Sequence, residues 1–311
     1  MSPSVETRDR AIALGLLCAV CACAGPPAAT DHSLAGRIYD TARHRFIDAG
    51  EAQRRVAAAD IALLGETHDN AAHHEIQLRL LRAVVAAGRR PALAMEQIDT
   101  EWQGAVDGAV AAGATPHSIA SAGHVGAGWN WKLYAPLVAF ALAGRLPIVA
   151  LNIPRASTHK IVQDGLASLG PGEEERLALA GTWNAARAAG MHAAIVEGHC
   201  GQDSPMTDRL ADVQRARDAV MADRMLAHDA RGVVAILGRG HARADLGVPI
   251  YLAARAPAKH VISVGIVEVD DDVDGVDGYP EARPGRFDLV WFTPRAARSD
   301  PCAGFKGVFP R

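Results

Sequence analysis

One local pattern recurs along this chain: a short apolar run that stops on a polar residue. Ile61 to Leu64 halts at Gly65 and hands over to Glu66, Thr67, His68, Asp69 and Asn70. Pro91 to Met95 closes on Glu96, Leu146 to Leu151 on Asn152, and Gly232 to Leu237 on Gly238, Arg239, Gly240 and His241. Runs of this kind between helical stretches read as buried strands. They predict an α/β fold, a central and mostly parallel sheet flanked by helices. Ligands of such open sheets bind beyond the carboxyl ends of the strands, where all four polar ends would gather. The ends at Gly65 and Gly238 share the form G-x-x-H, which invites one shared site.

Glu66 and His68 are two residues apart and point the same way if the chain stays extended past Gly65. A carboxylate beside an imidazole suits metal ligation or acid/base work. A plainer alternative is that Thr67 or Asp69 caps the next helix, with His73 and His74 merely decorating its first turn. That helix is announced by Ile76, Leu80 and Val84, spaced by four on one face.

A net charge of −3 offers no basic field for nucleic acid, and aromatics for base stacking are few at 5%. The first residues carry Arg8 and Arg10, then an apolar run from Ala11 to Ala24. That run is shorter than the roughly 20 residues a bilayer-spanning helix needs, and it reads as an export signal. Ala22-Cys23-Ala24 fits cleavage after Ala24, whereas Val20-Cys21-Ala22-Cys23 is similar to a lipobox with Cys23 as the acylated residue. We favour lipidation of Cys23. Residues 1–24 are thus a leader, 25–33 a tether and 34–311 one domain. Cys200 and Cys302 are the cysteines left in that domain, and an exported protein can pair them, although the sequence does not show their separation.

Residues from about 100 to 142 form a helical insertion holding Trp129, Trp131, Lys132 and Tyr134. These aromatics either make a flat apolar surface with a polar handle at Tyr134 or pack the insertion on the sheet. Arg155, just past the Asn152 strand end, is either a partner for an anionic group or a surface arginine in a turn. Asp218, three residues from Arg215, reads as one half of a solvated helix pair. The acidic stretch Asp270 to Asp277 lacks EF-hand spacing and reads as a solvated turn.

Taken in order, G-E-T-H-D-N-x-x-H-H from Gly65, Met95-Glu96, Asn152-x-Pro154-Arg155, His199-Cys200-Gly201, Gln214 to Asp218 and G-R-G-H-A-R from Gly238 resemble the ChaN family of haem-binding lipoproteins. That family lies in a wider group with the Tiki/TraB metalloproteases and the erythromycin esterases. The resemblance implies a haem-binding protein of haem and iron uptake in the bacterial envelope. It would be lipid-anchored at the outer membrane, facing periplasm or exterior, or else periplasmic or secreted. Haem would be held by a tyrosine, at the interface of a homodimer, with haem-uptake components as partners. Of the four tyrosines, Tyr134 is the expected axial ligand, with His73, Arg155 and Lys132 as partners for the propionates. The alternative is a metal-dependent hydrolase in which Glu66, His68, Glu96 and His241 hold a divalent transition metal, Glu66 and His68 being catalytic.

Overall fold

The computed structural model describes residues 32–299 and Cys302. The leader, Cys23 and most of the tether lie outside them. Eight strands form one sheet: β1 (Ile38–Asp40), β2 (Arg45–Ile47), β3 (Ile61–Glu66), β4 (Ala92–Asp99), β5 (Ile148–Asn152), β6 (Val233–Gly238), β7 (Val261–Glu268) and β8 (Leu289–Thr293). Their order is β2-β1-β8-β7-β3-β6-β4-β5. The six strands from β8 to β5 pair in parallel, and β1 is antiparallel to both of its neighbours.

Alternation of side chains divides the core into two layers. On one face, Leu64, Met95, Ile236 and Val264 pack under α1 (Ala49–Ala58), α2 (Ala71–Ala86), α3 (Gln103–Ala111), α4 (Pro116–Ala122) and α5 (Trp131–Ala143). The short helices α6 (Arg155–Asp164), α7 (Glu173–Arg176) and α8 (Ala185–Gly198) come next, then the long α9 (Thr207–Ala227), the single turn α10 (Arg239–Ala242) and α11 (Val248–Arg255). Of these, α9 and α11 cover the opposite face, over Leu63, Ala94, Leu151 and Leu237. The spacing of Ile76, Leu80 and Val84 is the buried stripe of α2, as the sequence predicts, but the cap is Asn70, whose side chain accepts from Ala72 N at 2.9 Å.

β6 occupies the slot between β3 and β4. The chain leaves β3 toward α2 on one face and leaves β6 toward α10 and α11 on the other, so neighbouring strands part in opposite directions. That divergence is the topological switch point at which open α/β sheets bind ligands. Gly65 is required there, because a Cβ on it would stand 2.7 Å from Ala242 Cβ and 3.0 Å from Arg239 Cα. Only glycine lets α10 lie on the end of β3.

Cys200, in the loop after α8, is bonded to Cys302 with their Cα atoms 5.5 Å apart. The segment after β8 is also held by Arg298, which donates to Asp69 at 2.7 Å and to Glu268 at 2.8 Å.

Candidate functional site

Glu66, the last residue of β3, is the hub of the first polar network, and its side chain is fully buried. Its Oε1 accepts from the Tyr134 hydroxyl of α5 at 2.7 Å and from His68 Nδ1 at 2.9 Å. His74 of α2 brings Nδ1 to 3.0 Å from Oε2, yet its hydrogen bond runs to Gln77 Oε1 at 3.1 Å, which leaves Oε2 without an aligned donor. The other ring nitrogen of His74 meets the His68 carbonyl at 3.0 Å. Gln97 is buried beside Tyr134. Burial, reinforced by the negative charge of Glu66, pushes the Tyr134 phenol far above its ordinary value.

The second network occupies the other face of the sheet. His241 of α10 sets Nδ1 2.6 Å from Asp218 Oδ1 of α9 and Nε2 3.4 Å from Oε1 of Glu96, which lies inside β4 and not at its end as the sequence suggests. The second Glu96 oxygen accepts from Gly238 N at 2.6 Å. Burial pulls the His241 ring down, and the flanking carboxylates Glu96 and Asp218 more than reverse this, raising it to about 10. Burial likewise opposes the Glu96 charge, but His241, His68 and the Gly238 N–H hold its carboxyl down at about 2. Asp218 moves the other way: burial outweighs the imidazole and lifts it to about 6. The result is a protonated imidazole clamped between two buried carboxyls.

His68 joins the two networks. Its Nδ1 is held by Glu66, and the other edge of the ring lies over Gly238, beside Glu96. A Cβ on Gly238 would stand 3.1 Å from His68 Cε1, 3.3 Å from His68 Nε2 and 3.5 Å from Glu96 Oε2. Burial lowers the His68 ring, and the bond to Glu66 with the charge of Glu96 outweighs that and raises it. The side chain is still 44% exposed. It stands against Trp129, ring centroids 4.5 Å apart and nearly perpendicular.

The two G-x-x-H ends are therefore neighbours across the β3–β6 pair, but the four residues expected to share one divalent ion do not converge on a point. Glu66 and Glu96 sit on opposite faces, Glu66 spending Oε1 on Tyr134 and His68 and Glu96 spending its oxygens on Gly238 and His241, and His241 is taken up by Asp218. Among the described residues, no group of three or more His, Cys, Asp or Glu side chains is arranged to hold a metal ion.

Residues 52–252 match the family model described as haem-binding uptake, Tiki superfamily, ChaN. The chain belongs to the ChaN family. Its fold is similar to that of the ChaN of Campylobacter jejuni, whose structure is described as showing cofacial haem binding. The two are 20% identical, 82% of this chain and 95% of that one are covered, and the TM-score is 0.68. A mutant of the erythromycin esterase EreC in its open conformation superposes more loosely, at 15% identity, 83% of each chain and a TM-score of 0.43. A comparison with curated proteins returned no match.

The haem residues expected from sequence are scattered in this ChaN-family chain. Tyr134 has no exposed surface and is tied to Glu66. The remaining tyrosines, Tyr39, Tyr251 and Tyr279, are buried as well. His73 is fully buried, so it cannot reach a propionate in this conformation: its Nδ1 accepts from Thr67 N at 2.8 Å and its Nε2 meets Thr293 Oγ1 at 2.9 Å. Burial depresses that ring to about 3 and keeps it neutral. Lys132 and Arg155 are exposed, and neither side chain makes an ion pair among the described residues. Both tryptophans are half-buried against the core: Trp131 donates Nε1 to the Pro116 carbonyl at 2.9 Å, and Trp129 stands between His68 and Tyr134. Sequence reading missed Asp218 and the buried amides Gln77 and Gln97. Asp218 does not pair with Arg215, which instead takes Asp212 at 3.0 Å.

The open side of this site carries groups of the kind that hold a flat iron macrocycle, an exposed imidazole on His68 beside the indole of Trp129. Trp129 supplies an apolar wall, and Gly126, Ala127 and Gly128 before it are exposed, with nothing within 4 Å of where a Cβ on either glycine would stand. A separate hollow of about 610 Å³ is bordered by Arg37, Phe46, Glu75, Arg79 and Trp291. No residue of the two networks lines it, and none of its lining residues is a histidine or tyrosine able to ligate iron.

Proposed function

We propose that this chain is a haem carrier of the bacterial envelope, taking up ferric haem at the carboxyl edge of the sheet beside Trp129 and passing it to an uptake component. The observation that carries this reading is the family match over residues 52–252. The open aromatic wall beside a histidine agrees with it. A bound haem would supply a Lewis-acidic ferric centre. The protein supplies the apolar wall, and Lys132 and Arg155 on the surface are cations of the kind that hold propionates.

Export and anchoring form part of the same proposal. The apolar stretch from Ala11 to Ala24 with Cys23 is a lipoprotein-type leader, and the Cys200–Cys302 disulfide suits an oxidising compartment. No helix among the described residues is long and apolar enough to cross a membrane, and in this reading the lipid on Cys23 is the anchor. Two chains facing each other would bring two haems together, in keeping with the cofacial arrangement named for the Campylobacter jejuni protein.

The test is a haemin titration of the purified full chain followed by Soret absorbance, with sedimentation of the loaded and unloaded protein. Saturation at one haem per chain with a shift toward dimer is the expected result. A linear, unsaturable rise in absorbance would defeat the carrier reading. Globomycin-sensitive processing in the native host, abolished by Cys23→Ser, is the expected sign of lipidation.

A further inference from the structure

We infer that His68, through Nε2, is the side chain that ligates the haem iron in this chain, with Glu66 as its positioning residue and Gly238 as the gap that leaves the nitrogen open. The inference rests on the haem-carrier reading above and assigns its ligand.

The first step is elimination by exposure. A ligand must present a lone pair at the surface of the site, and Tyr39, Tyr134, Tyr251 and Tyr279 are all buried. Tyr134, the tyrosine nearest the open wall, spends its hydroxyl proton on Glu66 at 2.7 Å. Freeing that hydroxyl would break the bond and leave the buried Glu66 carboxylate short of a donor, which is costly for a charged acceptor out of water. No such cost attends His68. Its side chain is 44% open, and no hydrogen bond or ion pair engages Nε2 among the described residues.

The second step is the partner on the far side of the ring. Histidines that bind metals characteristically donate their other N–H to a carboxylate, which fixes the tautomer and makes the ligating nitrogen a better donor. His68 has that arrangement, Nδ1 to Glu66 Oε1 at 2.9 Å, on a carboxylate with a fully buried side chain. The other exposed histidines differ: His199 and His260 direct Nδ1 to the backbone carbonyls of Ile195 and Ala58, His44 Nδ1 meets the Tyr39 hydroxyl at 3.5 Å, His124 is covered by Trp102 stacked at 3.7 Å, and neither His117 nor His159 has a carboxylate partner among the described residues.

The third step is room. The strand end beneath the ring is Gly238, and the first atom of any other side chain would stand 3.3 Å from His68 Nε2. Its backbone, at φ −60° and ψ 145°, is one that any residue adopts, so conformation does not demand glycine there. Clearance over His68 and Glu96 is what the missing Cβ provides. Trp129 supplies an aromatic neighbour to the imidazole, ring centroids 4.5 Å apart and nearly perpendicular.

The experiment is a ferric haemin titration of the full chain and of His68→Ala, Gly238→Ala, Glu66→Gln and Tyr134→Phe, with absorbance and electron paramagnetic resonance as readouts. The wild type is expected to show an imidazole-ligated ferric signature. His68→Ala should lose that signature and roughly tenfold or more in affinity, and added imidazole should restore the spectrum. Gly238→Ala, which keeps every polar group, should weaken binding in the same direction. Glu66→Gln should keep the imidazole signature with affinity reduced by about 10- to 100-fold. Tyr134→Phe should keep the signature. Saturable binding with an unchanged spectrum in His68→Ala, or a phenolate spectrum lost in Tyr134→Phe, overturns the assignment and leaves the carrier standing. Absence of saturable binding in the wild type removes both. Thermal unfolding of each variant separates a lost ligand from a lost fold.

Discussion

The neutral, buried His73 should make the protein measurably acid-labile. In the unfolded chain the ring titrates near 6.5, and in the fold burial depresses it to about 3. Below 6.5 the unfolded state therefore binds a proton that the folded state refuses, so stability falls as pH drops from about 6.5 toward 3. Because the folded value lies two units below pH 5, the penalty there is set by the unfolded side. It comes to about 1.4 kcal/mol for each of 1.5 pH units, or about 2 kcal/mol lost between pH 7 and pH 5. The ring is fully buried, so solvent does not screen the effect. Other groups titrate over the same range, and His73→Asn isolates this one, since Asn Oδ1 can still accept from Thr67 N while nothing at position 73 titrates. Urea unfolding of both proteins at pH 7 and pH 5 is the assay. The destabilisation caused by His73→Asn should be about 2 kcal/mol smaller at pH 5 than at pH 7. A difference between the two proteins that stays constant with pH would refute the reasoning.

Three further outcomes follow from the geometry. Breaking the Cys200–Cys302 disulfide by Cys200→Ser should cost up to about 4–5 kcal/mol, as chain-entropy scaling gives for a loop near 100 residues, with a lowered urea midpoint as the readout. Gly65→Ala should destabilise by about 1–3 kcal/mol and weaken haemin binding, because its methyl meets Ala242 and the Arg239 backbone, whereas Gly104→Ala, with open space around it, should stay within about 0.5 kcal/mol. Asp218→Asn should lower the His241 ring from about 10 by removing one of its two carboxyls, which an NMR titration of the imidazole would detect; an unmoved titration would show that Glu96 alone sets it.

The sheet was legible because its strands are apolar on both faces and end near polar residues, which placed β3, β5 and β6 closely, whereas β4 runs past the expected stop at Glu96, through Gln97 and Ile98 to Asp99. The pairing of the two G-x-x-H ends was legible for the same reason, since an open parallel sheet gathers its strand ends on one edge. What escaped were contacts set by helices at long range. Asp218 was read against Arg215 by local spacing, yet it lies four and seven residues before Ala222 and Met225, on the buried stripe of α9, and that period was the available clue. Burial of Tyr134 was one of two readings the sequence left open, and the choice is made by Glu66 of β3 and His74 of α2, far away in the chain. The disulfide had no sequence signal beyond two cysteines left over.

The position of β6 between β3 and β4 governs how this protein can come into being. Strands adjacent in sequence, β3 and β4, must be held apart until a strand made much later arrives to fill the gap. Such non-local pairing bears a loop-closure cost before it gains any contact, so folding should be slow and late in completion. His68 and Glu96 stand on the two banks of that gap, with Gly238 on the strand that fills it. A partly folded chain therefore has the residues of the site but not the site, and haem capture would report that the last central strand has been threaded home.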